Sequence, residues 1–264
     1  MRRSEDNLFI RGYLMRLFLC VLLMVGSFSM ASAEEIPEDP LGSIQWDDMV
    51  RAYLSEHKVV FDDRVKVVAP EFAEDSMNVP VSVDASELTG IKEIFLFAEF
   101  NPIPKILKFY PEASKAAFSF RFKIQQASPV RAAVLTNDNI WHVGGVWIDA
   151  AGGGCTRASD DRLAGDWADH LGEIYAAVWD TGTVRRTKIS ISHPMDTGLV
   201  AGIPSFYIEE IQLTDDAGKL LARIEPYEPV QENPVFTLDL GKNGSINIEA
   251  IDNNANEFSA RIVR

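Results

Sequence analysis

Phe118-Ser119-Phe120-Arg121-Phe122-Lys123-Ile124 alternates apolar and polar residues without a break. Successive side chains of an extended chain point to opposite faces, so this spacing predicts a strand with one buried and one solvated face. Ser119, Arg121 and Lys123 are assigned to solvent. The same period recurs on both sides, at Val65–Val68, Val79–Val83, Ile94–Phe97, Val130–Leu135 and Ile140–Ile148. Pro70, Pro80, Pro102, Pro104, Pro111 and Pro129 punctuate these runs, as turns and edge positions require. Six or more short strands in about 90 residues predict an antiparallel sandwich. Upstream, Trp46, Met49, Val50, Tyr53 and Leu54 stand at helical spacing, with Ser43 as N-cap, and predict one short amphipathic helix packed on it.

The alternation stops at Ala150–Trp167, AAGGGCTRASDDRLAGDW, which holds four Gly and three Asp. Beyond it period two returns at Ile189/Ile191, Phe206/Ile208, Phe236/Leu238/Leu240 and Ile246/Ile248. Asp216-Ala217-Gly218-Lys219 and Lys242-Asn243-Gly244 read as hairpin turns. The fold class expected is all-β: two immunoglobulin-like antiparallel β-sandwich domains, 43–149 and 168–264, joined by a Gly-rich arm over 150–167. With 47% hydrophobic residues in 264, the chain can fill both cores.

Residues 1–33 read as a cleaved export signal. Arg16 precedes an apolar run from Leu17 to Met30, followed by Ala31-Ser32-Ala33, a small-x-small cleavage site. The run is shorter than the ~20 residues that span a bilayer, and no membrane anchor is expected elsewhere. Glu5 and Asp6 sit oddly in an n-region, which makes Met15 an alternative start to Met1. Leu19 before Cys20 argues against lipid attachment there. The first 33 residues sum to +2, so a total of −14 leaves −16 for the rest. That balance excludes non-specific nucleic-acid binding, which needs Lys/Arg patches, and suits either a basic partner or plain solubility.

Removal of the signal leaves one cysteine, Cys155, inside Gly152-Gly153-Gly154-Cys155-Thr156. A lone cysteine cannot form an internal disulfide in an oxidising compartment. The three glycines give backbone freedom and close approach, so the thiol reads as one presented to another molecule, on a flexible arm. In an exposed loop, Arg157 as the neighbouring cation and Asp160 and Asp161 as neighbouring acids oppose each other. The expectation is a thiol of ordinary reactivity. With no second cysteine to resolve them, oxidation products at Cys155 should persist or link two chains.

Leader, β halves and Gly-Gly-Cys arm together resemble a fused SoxYZ protein, and more narrowly the SoxYZ-like carriers associated with quinoprotein dehydrogenases. Ala69-Pro70-Glu71-Phe72-Ala73-Glu74-Asp75 with Val79-Pro80-Val81 resembles the opening of the SoxY fold. Phe100-Asn101-Pro102-Ile103-Pro104 is similar to its central Asn-Pro-x-Pro segment, and Gly153-Gly154-Cys155 to its carrier arm. Ile191-Ser192-His193-Pro194-Met195-Asp196-Thr197-Gly198 is similar to the SoxZ signature, with Asp196 where Glu is usual. Ile203-Pro204, Tyr207-Ile208, Asn233-Pro234 and Asp252-Asn253 fall where that family has them. The resemblance implies a periplasmic carrier rather than an enzyme: Cys155 would bear the cargo, Gly152, Gly153 and Gly154 would be the hinge, and no cofactor is needed. Its implied partners are periplasmic redox or sulfur-processing enzymes, including a quinoprotein dehydrogenase or c-type cytochrome, with the Y-like and Z-like halves packed together. One departure matters. SoxY carries Gly-Gly-Cys at its chain end, whereas here the chain runs on through Thr156, so the thiol cannot thread a narrow tunnel and its partner needs an open cleft.

Two other readings compete. An enzyme would use Cys155 as nucleophile with His142, His170 or His193 as base, but a nucleophile on a glycine loop is poorly preorganised. His57, His142, His170 and His193 are scattered without ligand spacing, so no metal site is expected. An assembly adaptor would bind a dehydrogenase or cytochrome with Cys155 incidental; replacing that residue separates it from a carrier.

Overall fold

The computed structural model describes residues 35–241 and 244–263. The export segment, both possible starts and Cys20, like the Lys242-Asn243 pair, lie outside the described residues. The predicted helix is α1 (Trp46–Met49), which continues as a π-helical stretch over Val50–Leu54. Ser43 does not cap it from the N-cap position: its Oγ accepts the Gln45 N–H, at 3.3 Å, and donates to Glu99.

Nine strands follow in the first half: β1 (Lys58–Phe61), β2 (Lys66–Val68), β3 (Phe72–Ala73), β4 (Val79–Asp84), β5 (Ile91–Ala98), β6 (Lys105–Tyr110), β7 (Ala117–Phe122), β8 (Ser128–Thr136) and β9 (Ile140–Ala150). The arm region is more ordered than its composition predicts. It forms a 3₁₀ turn (Gly154–Thr156), α2 (Asp160–Ala164) and a second 3₁₀ turn (Trp167–Asp169). Seven strands complete the chain: β10 (Ile174–Asp180), β11 (Arg185–Ile191), β12 (Ile208–Thr214), β13 (Leu220–Pro226), β14 (Val235–Leu240), β15 (Ile246–Asp252) and β16 (Glu257–Ile262).

The strands form two sheets, and each sheet runs through both halves. One has the order β1-β9-β8-β5-β6-β13-β12-β15-β16, with β3 also on β9; the other is β10-β11-β14-β7-β4-β2. The sandwiches are joined edge to edge at β6–β13, where Phe109 faces Ile224, and at β7–β14, where Phe118 faces Leu238. Pairing is antiparallel except for β1–β9 and β3–β9, which are parallel. Asp215–Lys219 closes the β12–β13 hairpin as expected. The second proposed hairpin is corrected: β14 and β15 belong to different sheets and do not pair with each other.

Alternation decides which faces meet. Phe118, Phe120 and Phe122 of β7 lie beside Val79, Val81 and Val83 of β4, all buried. They share one core with Ile94, Leu96 and Phe109, and with Ile189, Ile224, Phe236 and Leu238 of the second half. At roughly 1.5–3 kcal/mol per buried large apolar side chain, this common interior is the main force holding the halves together. On the opposite face of β5 and β8, Phe95, Phe97 and Ala133 meet Trp46, Val50 and Leu54 of the helix, so β5 is covered on both sides. Within that second layer Arg131 is buried; its Nε donates to Glu99 at 2.7 Å and its Nη2 to both Asp39 oxygens at 2.7 Å. Trp46 lies under the guanidinium at 5.1 Å.

Candidate functional site

Strand β9 leads directly into the glycines. Gly152 and Gly153 take left-handed φ values of 96° and 87°, open to glycine at little cost. Gly154 is needed for space: a Cβ there would stand 2.0 Å from the Ser76 carbonyl oxygen and 2.6 Å from that of Ile124. The segment is thus laid against the β7–β8 connection. Gly153 N–H donates to Gln125 O and Gly154 N–H to Ile124 O, both at 3.0 Å, and Gly152 N–H to Ser76 Oγ at 3.3 Å.

Cys155 is fully buried, which corrects the expectation of an exposed thiol. Its N–H donates to Gln125 Oε1 at 3.2 Å and its Sγ–H lies 3.5 Å from Lys123 O. Burial pushes the thiol pKa up to about 12, and the nearby Lys123 charge offsets only part of that. A protonated, water-excluded sulfur is a poor nucleophile, so the docked thiol is silent rather than ordinary. The cation that acts on it is Lys123, not Arg157, which is exposed.

Lys123 itself overturns the periodicity reading. β7 ends at Phe122, and the next side chain turns inward beneath the second half, where its Nζ donates to Met195 O. Burial lowers its pKa to about 8, while Asp196, Glu232 and Cys155 pull the other way. Asn101 props the same connection: its Nδ2 donates to Lys123 O at 2.9 Å and its Oδ1 accepts Gln125 N–H at 2.8 Å.

The second half supplies the other wall. Thr197 Oγ donates to the Cys155 carbonyl oxygen at 2.7 Å. Asp196 accepts from Arg162 Nε at 2.7 Å, and the Arg162 guanidinium lies 4.0 Å from the Trp167 ring centre. Through these contacts α2 is fastened to the loop that grips the cysteine. Met195 holds a left-handed φ of 49°, and its N–H donates to His193 Nδ1 at 3.1 Å.

That bond fixes the proton of a neutral His193 on Nε2, which faces Asp252 Oδ2 at 3.5 Å. Burial lowers the His193 pKa to about 4 despite Asp252, so the ring is neutral at physiological pH. Of the other proposed bases, His142 pairs with Asp62 at 2.7 Å and exposed His170 with Glu173 at 3.2 Å. Among the described residues no histidine hydrogen-bonds Cys155. Sequence reasoning found Cys155, Asn101 and the His193–Thr197 run; it missed Gln125, Lys123 and Arg162, whose roles depend on contacts across the chain.

Two family models match the chain. Residues 50–155 match the sulfur oxidation protein SoxY, and residues 159–263 match the sulphur oxidation protein SoxZ. The first match ends at Cys155 itself. Among solved structures, the sulfur carrier protein SoxY from Chlorobium limicola f thiosulfatophilum is 22% identical, over 40% of this chain and 96% of its own, with a TM-score of 0.36. No curated protein matches. The chain therefore belongs to the sulfur oxidation proteins, as a SoxY domain and a SoxZ domain fused in one polypeptide.

Proposed function

We propose that this chain is an exported, periplasmic covalent carrier that holds a sulfur-containing intermediate on Cys155 for partner enzymes and is not itself a catalyst. One observation carries the reading: Asn101 of the SoxY domain and the His193–Thr197 run of the SoxZ domain converge on the same cysteine segment, through Lys123 O, Gln125 and Cys155 O. Two domains that meet at one thiol are arranged to manage that thiol. Docked, the sulfur is protected from adventitious oxidation; loading requires the segment to lift away, with left-handed Gly152 and Gly153 as pivots. Because the chain continues into α2, the lifted thiol sits on a loop anchored at both ends and fits a partner with an open cleft. The net charge of −14 favours a basic partner face.

Non-reducing intact mass of the chain purified from its own host, repeated after reduction, tests this. A reducible adduct mapped to Cys155 is expected, and its mass names the cargo. A bare thiol under every condition that induces the protein sinks the carrier. The burial of Cys155 favours one second reading, in which the residue merely packs and the chain is an adaptor for a quinoprotein dehydrogenase or c-type cytochrome. Cys155→Ala should abolish a carrier's function and leave an adaptor's affinity intact.

A further inference from the structure

The sheet ends are treated unequally. β16 carries exposed Glu257, Ser259 and Arg261 at alternate positions. β2 has three residues, with exposed Lys66 paired to Glu87, and β1 has four, opening on exposed Lys58. Charge and shortness are the ordinary means of keeping an unpaired strand from recruiting another. β10 has neither. It is seven residues long, Ile174-Tyr175-Ala176-Ala177-Val178-Trp179-Asp180, with one charge at its last position and all but Ile174 exposed. Tyr175 is 61% exposed, Trp179 50% and Val178 36%. It pairs with β11 along one edge, and among the described residues no strand pairs with its other edge.

Register with β11 sorts its side chains. Ala176 and Val178 lie opposite Ile189 and Thr187, which are buried, so they belong to the core face; yet both are exposed. Tyr175, Ala177 and Trp179 lie opposite Ser190, Lys188 and Arg186 on the outer face. Among the described residues the strand is apolar on both faces, its outer face uncovered and its core face covered only at Ile174, which packs on the common core.

We propose that β10 pairs antiparallel with β10 of a second copy of this chain, about a two-fold axis at Ala177, extending the six-stranded sheet across a dimer. The sequence is self-complementary in that register. Tyr175 faces Trp179 of the second copy on the outer face, Ala176 faces Val178 on the core face, and the small Ala177 faces itself. Aromatic cross-strand pairs at both ends stabilise such a ribbon. The one charge, Asp180, falls opposite Ile174, so no like charges oppose along the strand despite a chain charge of −14. Arg185, Arg186 and Lys188 on the adjacent β11 further offset the acidity there. A contact of one strand per copy is smaller than a standard interface, so the dimer is of micromolar strength and concentration-dependent.

Sedimentation equilibrium of the reduced mature chain, from about 1 to about 300 µM, tests this without a contribution from Cys155 disulfides. A monomer–dimer equilibrium is expected, with Val178→Lys and Trp179→Lys each weakening it at least about tenfold while melting like the parent chain. Register is read separately, in a Cys155→Ser background. Ala177→Cys should cross-link on mild oxidation, whereas Tyr175→Cys should not, because those two positions lie about 13 Å apart across the axis. A monomer throughout, a dimer indifferent to both lysines, or cross-linking at 175 in place of 177 overturns the proposal.

Discussion

Among the described residues Arg131 and Lys123 are the most deeply buried Lys and Arg side chains, and they are treated in opposite ways. Arg131 donates to two carboxylates, Glu99 and Asp39, and lies over Trp46 and Phe61. Lys123 is as deeply buried, yet among the described residues its ammonium has a single acceptor, the Met195 carbonyl. The first network locks the helix to β8 and has no reason to open. The second joins the SoxY domain to the loop that grips Cys155, where a tightly satisfied charge would resist any movement of the segment. A buried ion with complete partners is costly to break, whereas a weakly held one leaves a site close to the balance point.

Breaking the comparison should cost most at Arg131. Arg131→Met leaves two buried carboxylates without their cation and is expected to lower unfolding free energy in urea by about 3–5 kcal/mol. Next comes Gly154→Ala, whose Cβ must displace the Ser76 or Ile124 carbonyl. A cost of about 2 kcal/mol should fall on docking rather than on the fold, so alkylation of Cys155 accelerates at least tenfold.

pH sharpens the contrast. The thiol ionises at about 12 when docked against 9.0 for an ordinary cysteine, so the docked state binds that proton more tightly. The thiol's contribution to docking is complete below pH 9 and is lost as pH rises from 9 towards 12, by at most about 1.4 kcal/mol per unit. Lys123 acts in the reverse sense: its lowered pKa means that the cost of burying its charge fades between pH 8 and 10.5. Alkylation rates, corrected for intrinsic thiolate content, should therefore rise more steeply above pH 9 in Lys123→Met than in the parent chain.

Thr197→Val removes the hydrogen bond to Cys155 O and should raise labelling about fivefold, for a loss of about 1 kcal/mol. The smallest expected effect is that of Lys123→Met on global stability. It removes a weakly satisfied ammonium and keeps the stem volume, so a change within about 1 kcal/mol is expected in the same urea titration. A loss as large as that of Arg131→Met would end the distinction between the two sites.

What could be read beforehand follows from which signals are local. The Phe118–Phe122 alternation gave β7, its buried face and the fold class, since the strand period is a property of neighbouring residues. β6 and β13 were not singled out, although they carry one of the two seams between the domains. Their Lys105, Lys108, Arg223 and Glu225 mask the pattern in sequence, and Lys108 meets its acid, Glu93 of β5 at 3.3 Å, only once β5 and β6 pair. Arg157 was chosen as the thiol's cation by chain proximity, but two residues along a turn point elsewhere, while Lys123 arrives from another strand. Ser43 reads as the helix N-cap from its place before Trp46, but Gln45 takes that position and the Ser43 hydroxyl serves Gln45 N–H and Glu99.

By itself the sequence determined the β-rich architecture, the short helix, the cysteine placed after three glycines and the His193–Thr197 run that marks the second domain. Each of these is carried by residue type and short-range spacing. Only the tertiary structure decided that the two halves share both sheets, that Cys155 is buried and silent, and that Lys123 lies beneath it. Those outcomes depend on which distant surfaces exclude water together, and burial, unlike periodicity, is not a property of any stretch of chain alone.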